Sequence, residues 1–519
     1  MIALGVSATA MAQDEFDALR YSRLTTGGTA RTQAIGGAAG SLGGDISSTH
    51  VNPAGLGFYK TSEVLITPGF YFRSNNLSYL GNSESDNKSG GQLANIGVVF
   101  GIPNRSSGSK FRNFTIALDY SRQADFNNRR FLKGNNTRTS YTDRWVEDMM
   151  PGGTPVSLDV ANDDLVLGPS LAFRTFLIDP KFIDDDPAKG VDFYFSGINP
   201  TLAGGIDQSD LIKERGGLDE FSIGFAGNYN EQVYMGLSVN FPTINYERNR
   251  TFREEDKSGD NNNDFAWFEH TENLKTDAVG FNSKLGIIYS PMPSLRIGVN
   301  YHTPTWFSMR DASTARVEAN TEGYPSNNPG YHSLSSEELT DYLPVEYEYT
   351  LRTPSRFGGS VSYIFGTNAD VKQQHGFITA DVEYVNYSGT QFKYNKGGAA
   401  DREMAKRLND VISDTYKGAM NIRVGGELKF NVLAVRAGFS YNGNPYNSDF
   451  TDIDGSIKRV SGGLGYRNKG FFADLTYVHT LDTESVYAPY TLKSGPYPAP
   501  TAIGSMSGGN VVATIGLKF

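Results

Sequence analysis

Along most of the chain, apolar and aromatic side chains recur at every second position, with small or polar ones between them. That is the period of a strand whose two faces meet different surroundings. The last segment shows it best. Val511, Ala513, Ile515, Leu517 and Phe519 share one face, and Thr514, Gly516 and Lys518 share the other. Met420, Ile422, Val424, Leu428 and Phe430 oppose Asn421, Arg423, Gly425, Glu427 and Lys429 in the same way. Ile378, Ala380, Val382 and Tyr384 oppose Thr379, Asp381 and Glu383, and from Leu295 to Tyr301 apolar residues alternate with Arg296, Gly298 and Asn300. Fourteen such segments are legible: 62–74, 92–103, 112–123, 219–229, 232–245, 275–290, 294–308, 354–366, 375–388, 418–430, 432–442, 456–467, 469–482 and 508–519.

An even count suits a closed antiparallel barrel, and most segments are long enough to cross a bilayer core at a tilt of roughly 45°. The connections alternate in length. After even-numbered strands they are brief: 104–111, 230–231, 291–294, 366–374, Asn431 and Asn468. After odd-numbered strands they are long: 75–91, 124–218, 246–274, 309–353, 389–417, 443–455 and 483–507. Short periplasmic turns and long outer loops follow this rule in membrane barrels, whereas a soluble β protein has no need of it. The expected fold is therefore all-β, a fourteen-stranded antiparallel transmembrane β-barrel over 61–519 with a large outer insertion at 124–218. Tyr71, Phe72, Tyr301, Tyr384, Tyr441 and Tyr477, near strand ends, are expected in the aromatic belts where bilayer meets water.

Composition narrows the function. The 519 residues contain no Cys, which excludes a disulfide scaffold, Cys-ligated metal and thiol catalysis. Mean hydropathy is -0.40, and no apolar run approaches the ~18 to 20 residues of a membrane-spanning helix. Net charge is 47 minus 57, or -10, spread along the chain. Nucleic acid is excluded as a partner by the lack of a basic footprint. None of the six histidines stands in an HExxH pattern, and no Gly-x-Ser-x-Gly elbow appears. Gly55 to Thr61 lacks the Gly before Lys that a phosphate loop needs, and Phe265 stands where the acidic run Asp260 to Asp264 would need Gly for an EF-hand. No catalytic residue, metal or cofactor is expected.

Residues 1–12 are short, uncharged and apolar and end in Ala10-Met11-Ala12, a small-x-small pattern that reads as the remnant of an export signal without its positive n-region. Residues 13–60 carry no clear strand but a Gly-Ala-rich run from Gly27 to Asp45, closing on Asn52-Pro53-Ala54-Gly55. Glycine at this density permits tight turns and close backbone packing, as in a hatch plugging a barrel lumen.

This hatch ending in Asn52, Pro53 and Ala54, the fourteen strands directly after it, the bulky insertion after the third strand and the terminal Phe519 together resemble the FadL/TodX family of outer-membrane transporters of hydrophobic compounds. The segments Lys284-Leu285-Gly286 and Arg296 to Pro304 also look like its mid-barrel hairpin. The resemblance implies passive uptake of long-chain fatty acids or aromatic hydrocarbons. A ligand is caught on the outer loops, enters an apolar pocket and leaves sideways at a kink of the third strand. It places the hatch motif beside that strand, near Leu118 to Gln123, where alternation is lost between Asp119 and Asp125. The expected partners are a small hydrophobic ligand and the outer-membrane bilayer. A protein partner is not indicated, and a monomer is expected. The alternative is a barrel of the same type that passes no small molecule and serves as a shuttle partner in protein secretion.

Within the long insertion, a helix from Pro169 would gather Leu171, Phe173, Phe176 and Leu177, a candidate landing groove, with Arg174 as the cation for a carboxylate head group. The alternative is that these side chains pack the insertion onto itself. Arg296, Arg423, Arg436 and Lys429 fall on lumen faces near Asp381 and Glu427, placed to orient an anionic head group or to brace the barrel.

Overall fold

The computed structural model describes residues 15–519 apart from 26, 107, 202–203, 327–329, 367–374, 395–397 and 450. Residues 1–12, expected as the remnant of an export signal, and most of the turn 366–374 lie outside the described residues. Fourteen strands form the wall: β1 (Glu63–Tyr79), β2 (Asn82–Pro103), β3 (Phe111–Asp125, resuming at Asn128–Asn136), β4 (Ile206–Tyr229), β5 (Val233–Asp256), β6 (Trp267–Met292) and β7 (Leu295–His302, resuming at Trp306–Asn320). They continue with β8 (Val345–Arg352, then Arg356–Phe365), β9 (Gly376–Asn386), β10 (Gly418–Phe430), β11 (Leu433–Asn442), β12 (Ile457–Asn468), β13 (Phe471–Tyr487) and β14 (Ala502–Lys518). Each pairs antiparallel with its sequence neighbour, and β14 closes on β1 from Lys518–Glu63 to Ile503–Ser78. Closure removes the free strand edges that a bilayer could not hydrogen-bond.

The alternation decides which face is which. In β10, Met420, Ile422, Val424, Leu428 and Phe430 are exposed on the outside while Asn421 and Glu427 are buried in the lumen. Such residues on every strand make the lipid-facing belt, to which Phe72, Tyr301, Tyr384 and Tyr477 belong. Tyr71 does not. It is 4% exposed and faces inward, because Phe70 and Phe72 take the outward positions on either side.

On the long-loop side the wall rises past this belt. Residues 75–91, expected as a loop, continue β1 and β2 to a two-residue turn at Leu80 and Gly81. Both have positive φ, 48° and 86°, the conformation that a tight hairpin turn matches to strand twist. Strands β4, β5 and β6 reach 24, 24 and 26 residues for the same reason.

Three short helices, α1 (Glu15–Ser22), α2 (Ala30–Ala34) and α3 (Ser48–Val51), and a 3-10 turn (Pro53–Phe58) lie inside the barrel. The insertion after β3 folds into α4 (Tyr141–Met149), α5 (Leu158–Asp163), α6 (Pro169–Arg174) and a hairpin of Ile178–Phe182 with Val191–Ser196. Those elements form a cap on the outer mouth. Further round the rim stand α7 (Ser336–Leu339) and α8 (Ala399–Thr415).

Candidate functional site

The hatch is built from backbone turns rather than from a core of its own. Thr29 caps α2 by accepting from the Thr32 N–H, and Asn52 starts the 3-10 turn by accepting from the Ala54 N–H at 3.1 Å. The Asn52 amide then donates to the Gly40 and Val299 carbonyls at 2.7 and 3.3 Å. Ala54 and Gly55 are buried behind it. The wall makes room with glycine: a side chain on Gly286 would strike Asn52, one on Gly236 would strike Pro53, and one on Gly425 or Gly438 would strike Ile35. Hatch and wall therefore meet backbone to backbone.

The motif does not meet β3. Asn52 and Pro53 sit against β5, β6 and β7, because the glycines that admit their backbone lie on β5 and β6, while the lumen face of β3 carries the polar Asp119. The third strand is met by residues on either side of the motif: after it, Asn113 donates to the Gly57 and Tyr59 carbonyls at 2.9 and 2.8 Å, and before it stand Thr49 and His50. Thr49 Oγ1 donates to Asp119 at 2.7 Å, and His50 contacts Asp119 through Nε2 and lies 3.1 Å from Glu220 Oε1 through Nδ1. Asn95 donates to Asp119 at 2.6 Å, Asn282 donates to Glu220 at 3.1 Å, and Lys284 pairs with Glu220. One hatch imidazole thus ties β3 to β4, with β2 and β6 in support. In the sequence, a carboxylate at an inward strand position, such as Asp119 between Leu118 and Tyr120, is the signal that marks such a cluster.

The lumen charges brace the interior. Arg436 pairs with Glu427 at 2.6 Å and with Asp474 at 2.5 Å, Lys429 lies 3.8 Å from Glu427, and Arg423 pairs with Glu383 at 2.9 Å. Others hold the hatch. Asp381 accepts from the Gly40 N–H at 2.9 Å, and Arg296 donates to the Leu42 carbonyl while its guanidinium lies 4.2 Å over the Phe58 ring. His302 Nε2 lies 3.0 Å from the Val51 carbonyl. Among the described residues no group of three His, Asp or Glu side chains is placed to hold a metal ion.

Beside the hatch, the seam between β2 and β3 opens. Their ladder runs from Pro103–Asn113 to Asn95–Ser121 and stops, although both strands continue outward. Next to the break, Gln123 bulges out of register with β4, between Arg122–Asp219 and Ala124–Leu218. The Gln123 carbonyl accepts from both the N–H and the hydroxyl of Thr25, each at 2.8 Å. Side chains hold the seam where backbone does not. Arg73 of β1 reaches over it to Asp125 at 3.3 Å and the Asn127 carbonyl at 3.0 Å, and Arg129 of β3 pairs with Asp86 of β2 at 3.1 Å, while Arg122 braces β3 against β4 through a two-pronged contact with Asp219 at 2.9 and 3.0 Å. Two cavities of about 60 and 70 Å³ share Thr25 and Gly27 in their linings, with mostly polar and charged side chains around them.

At the outer end of the hatch its first helix meets an apolar stretch of the lumen. Tyr21 and Ala18 of α1 are packed among Tyr246, Phe307, Met309, Tyr349, Leu351, Phe392, Ile412 and Tyr416. Farther out, the helix from Pro169 forms as expected, but Leu171 and Leu177 are fully buried in the core of the cap and Phe173 packs edge-on against Tyr194. Phe176 lies against the His332 ring, and the exposed Arg174 pairs with Asp163 at 3.3 Å. These side chains are brought together as packing between α4, α5 and the hairpin rather than as the walls of an open groove.

No protein-family model matches the sequence, and no curated protein does. Solved structures do match in fold. A FadL homologue of Pseudomonas aeruginosa superposes with a TM-score of 0.56 at 13% identity, covering 96% of this chain and 99% of that one. The toluene transporter TodX of P. putida gives 0.51 at 13% identity, with 95% and 99% covered. The chain therefore has the FadL/TodX barrel fold along nearly its whole length. A closed barrel of this kind with a lipid-facing apolar belt is a protein of the bacterial outer membrane.

Proposed function

We propose that the chain is an outer-membrane conduit for small hydrophobic molecules, which pass the hatch and leave sideways between β2 and β3. The observation that carries this reading is the unbonded seam. Two adjacent strands lose their ladder beside a bulge that the N-terminal segment holds by hydrogen bonds. Leu93, Phe70 and Phe72, exposed at that height, keep the flank of the seam within the apolar belt. A molecule leaving there enters hydrocarbon without first becoming hydrated, the favourable direction for an apolar solute. The apolar contacts around Tyr21 line the way in on the outer side, and the ion pairs of Arg73 with Asp125 and of Arg129 with Asp86 are the contacts that have to part. The test is uptake of a labelled long-chain fatty acid, and separately of an aromatic hydrocarbon, by envelope-intact cells with and without the protein. Dependence on the protein for either class supports a conduit and names its cargo; independence for both removes it. Asn52→Leu, which breaks three hydrogen bonds of the hatch, should slow uptake at equal surface expression.

A second reading rests on a different observation. The hatch is fastened by polar contacts on all sides, and the lumen cavities of about 60 and 70 Å³ are well below the roughly 150 Å³ that holds benzene. A barrel that stays closed and offers its outer cap to a protein partner in secretion fits this sealing. It predicts no uptake of either class, together with a secreted protein that co-purifies only when the cap is intact.

A further inference from the structure

The lipid-facing wall has a hollow near its short-turn end. In β4 the outward position between Phe225 and Tyr229 is Gly227, which pairs across the sheet with Phe114 of β3 and Met235 of β5. Paired residues point to the same side, so a missing side chain in the middle of that row leaves a depression. It measures about 870 Å³ and is lined chiefly by Ile102, Phe111, Phe114, Phe225, Met235 and Leu237, with Arg105 at its edge. A Cβ on Gly227 would find its nearest neighbours at 4.0 Å, so the depression is open rather than filled by another part of the wall. Behind it the wall is a single backbone thick, because Gly57 of the hatch leans on Gly227 from inside.

The rim carries charge of one sign. Arg105 and Lys110 on the turn between β2 and β3 and Arg112 at the start of β3 stand exposed, and the stretch from Ile102 to Leu118 contains no carboxylate. None of the three pairs with a carboxylate among the described residues, whereas Lys60 at the neighbouring turn is matched by Glu231 at 2.9 Å. Unmatched cations at the level of the head groups, directly beside an apolar hollow, are complementary to a molecule with an anionic head and a hydrocarbon tail.

We propose that this hollow is a binding site for one anionic phospholipid of the periplasmic leaflet, its acyl chain seated over Gly227 and its phosphate against Arg105, Lys110 and Arg112. The site lies on the outside of the wall and is separate from the lumen, the hatch and the seam.

Purified full-length protein in detergent, titrated with phosphatidylglycerol, phosphatidylethanolamine or diacylglycerol and examined by native mass spectrometry, tests the site. Wild-type protein should retain one phosphatidylglycerol in preference to the other two lipids. Gly227→Phe, which fills the hollow from the lipid side, should lower that retention about fivefold. The combined substitution Arg105→Gln, Lys110→Gln and Arg112→Gln should lower it about tenfold, to the level of the zwitterionic lipid, with diacylglycerol unaffected. Heat-modifiable migration on gels reports that each barrel is folded, and Gly227→Leu replaces the Phe variant if that one fails to assemble. Equal retention of phosphatidylglycerol by the wild type and a folded Gly227 variant would overturn the site, as would equal retention of all three lipids by the wild type.

Discussion

Hatch and cap both obstruct the barrel, and they do it with opposite chemistry. The cap is a small apolar core: Tyr141, Trp145, Met149, Leu171 and Leu177 from the insertion pack on Phe252 and Phe268 of the rising wall and on Tyr490 of the last outer loop. Tyr141 alone makes ring contacts with Trp145 at 4.9 Å, Phe252 at 4.7 Å and Tyr490 at 5.4 Å. The hatch is rich in Gly, Ala, Ser and Thr; beside small apolar contacts of Ile35, Leu42, Ile46 and Leu56 with the wall, it is fastened by hydrogen bonds and ion pairs, with its backbone pressed on glycines of the wall. An apolar core has no substitute for its contacts when water enters. A hydrogen bond does, which is why its net worth is only about 0.5 to 1.5 kcal/mol. The hatch is therefore the part that can be released into a hydrated lumen piece by piece, and the cap the part that opens as a unit or not at all.

The largest effect should come from removing the hatch. Without residues 15–58 the lumen is left with a lining of Asp119, Glu220, Lys284, Arg356, Glu383 and Arg436, which is the lining of a water-filled channel. Planar-bilayer recordings should show a large steady conductance absent from the full chain. A deletion variant that stays closed would mean that the cap is the true seal.

Next in size is Trp145→Ala. The ring is 3% exposed, and truncating a buried aromatic costs about 3 to 5 kcal/mol. Limited proteolysis should cut the insertion at lower temperature while the barrel keeps its heat-modifiable migration and the hatch its protection. Asp119→Leu tests the other side of the comparison. It leaves His50 and Lys284 with Glu220 as their carboxylate, and breaking a buried charged cluster costs about 3 kcal/mol. Hydrogen exchange should quicken at 47–51 and stay unchanged at 141–149; equal acceleration in both would merge hatch and cap into one cooperative unit.

The same contrast explains what could be read from the sequence. All fourteen strands were legible where lipid enforces apolar residues outside, as in Ile515 and Leu517 against Thr514. Above the bilayer that pressure ends, so Asn75, Asn76 and Ser85 look like a loop while being strand. Pro169 correctly signalled a helix, but the fate of Leu171 and Leu177 depended on Phe252 and Phe268, far away in sequence. The third-strand irregularity showed as lost alternation between Asp119 and Asp125, and the structure resolves it into a bulge at Gln123 and a break before Asn128. Which hatch residue faces it was not legible, because alternation reports in or out and never which strand lies opposite. Gly236 and Gly286 made that choice for Asn52 and Pro53.

The smallest predicted effect concerns pH and is read at the cap. Glu254, in the part of β5 that rises beyond the belt, accepts from Ser140 Oγ at 2.5 Å, from the Tyr141 N–H at 2.7 Å and from Gln208 Nε2 at 2.7 Å. Burial nevertheless pushes its carboxyl up to about 7, the three donors opposing. A carboxyl raised on folding favours the folded cap in its protonated form. The contribution is fully present below the ordinary value of 4.5 and is lost as pH rises through 7. Between pH 6 and 8 the cap should lose about 1 kcal/mol, seen as a lower temperature for the change in Trp145 fluorescence, with Trp267→Phe and Trp306→Phe in the background. Glu254→Gln should flatten that slope without touching hatch exchange. A cap that grows firmer toward pH 8 would mean that Ser140, Tyr141 and Gln208 hold the charged carboxylate more strongly than burial opposes it, and the cap would then share the hatch's polar mode of fastening at this one point.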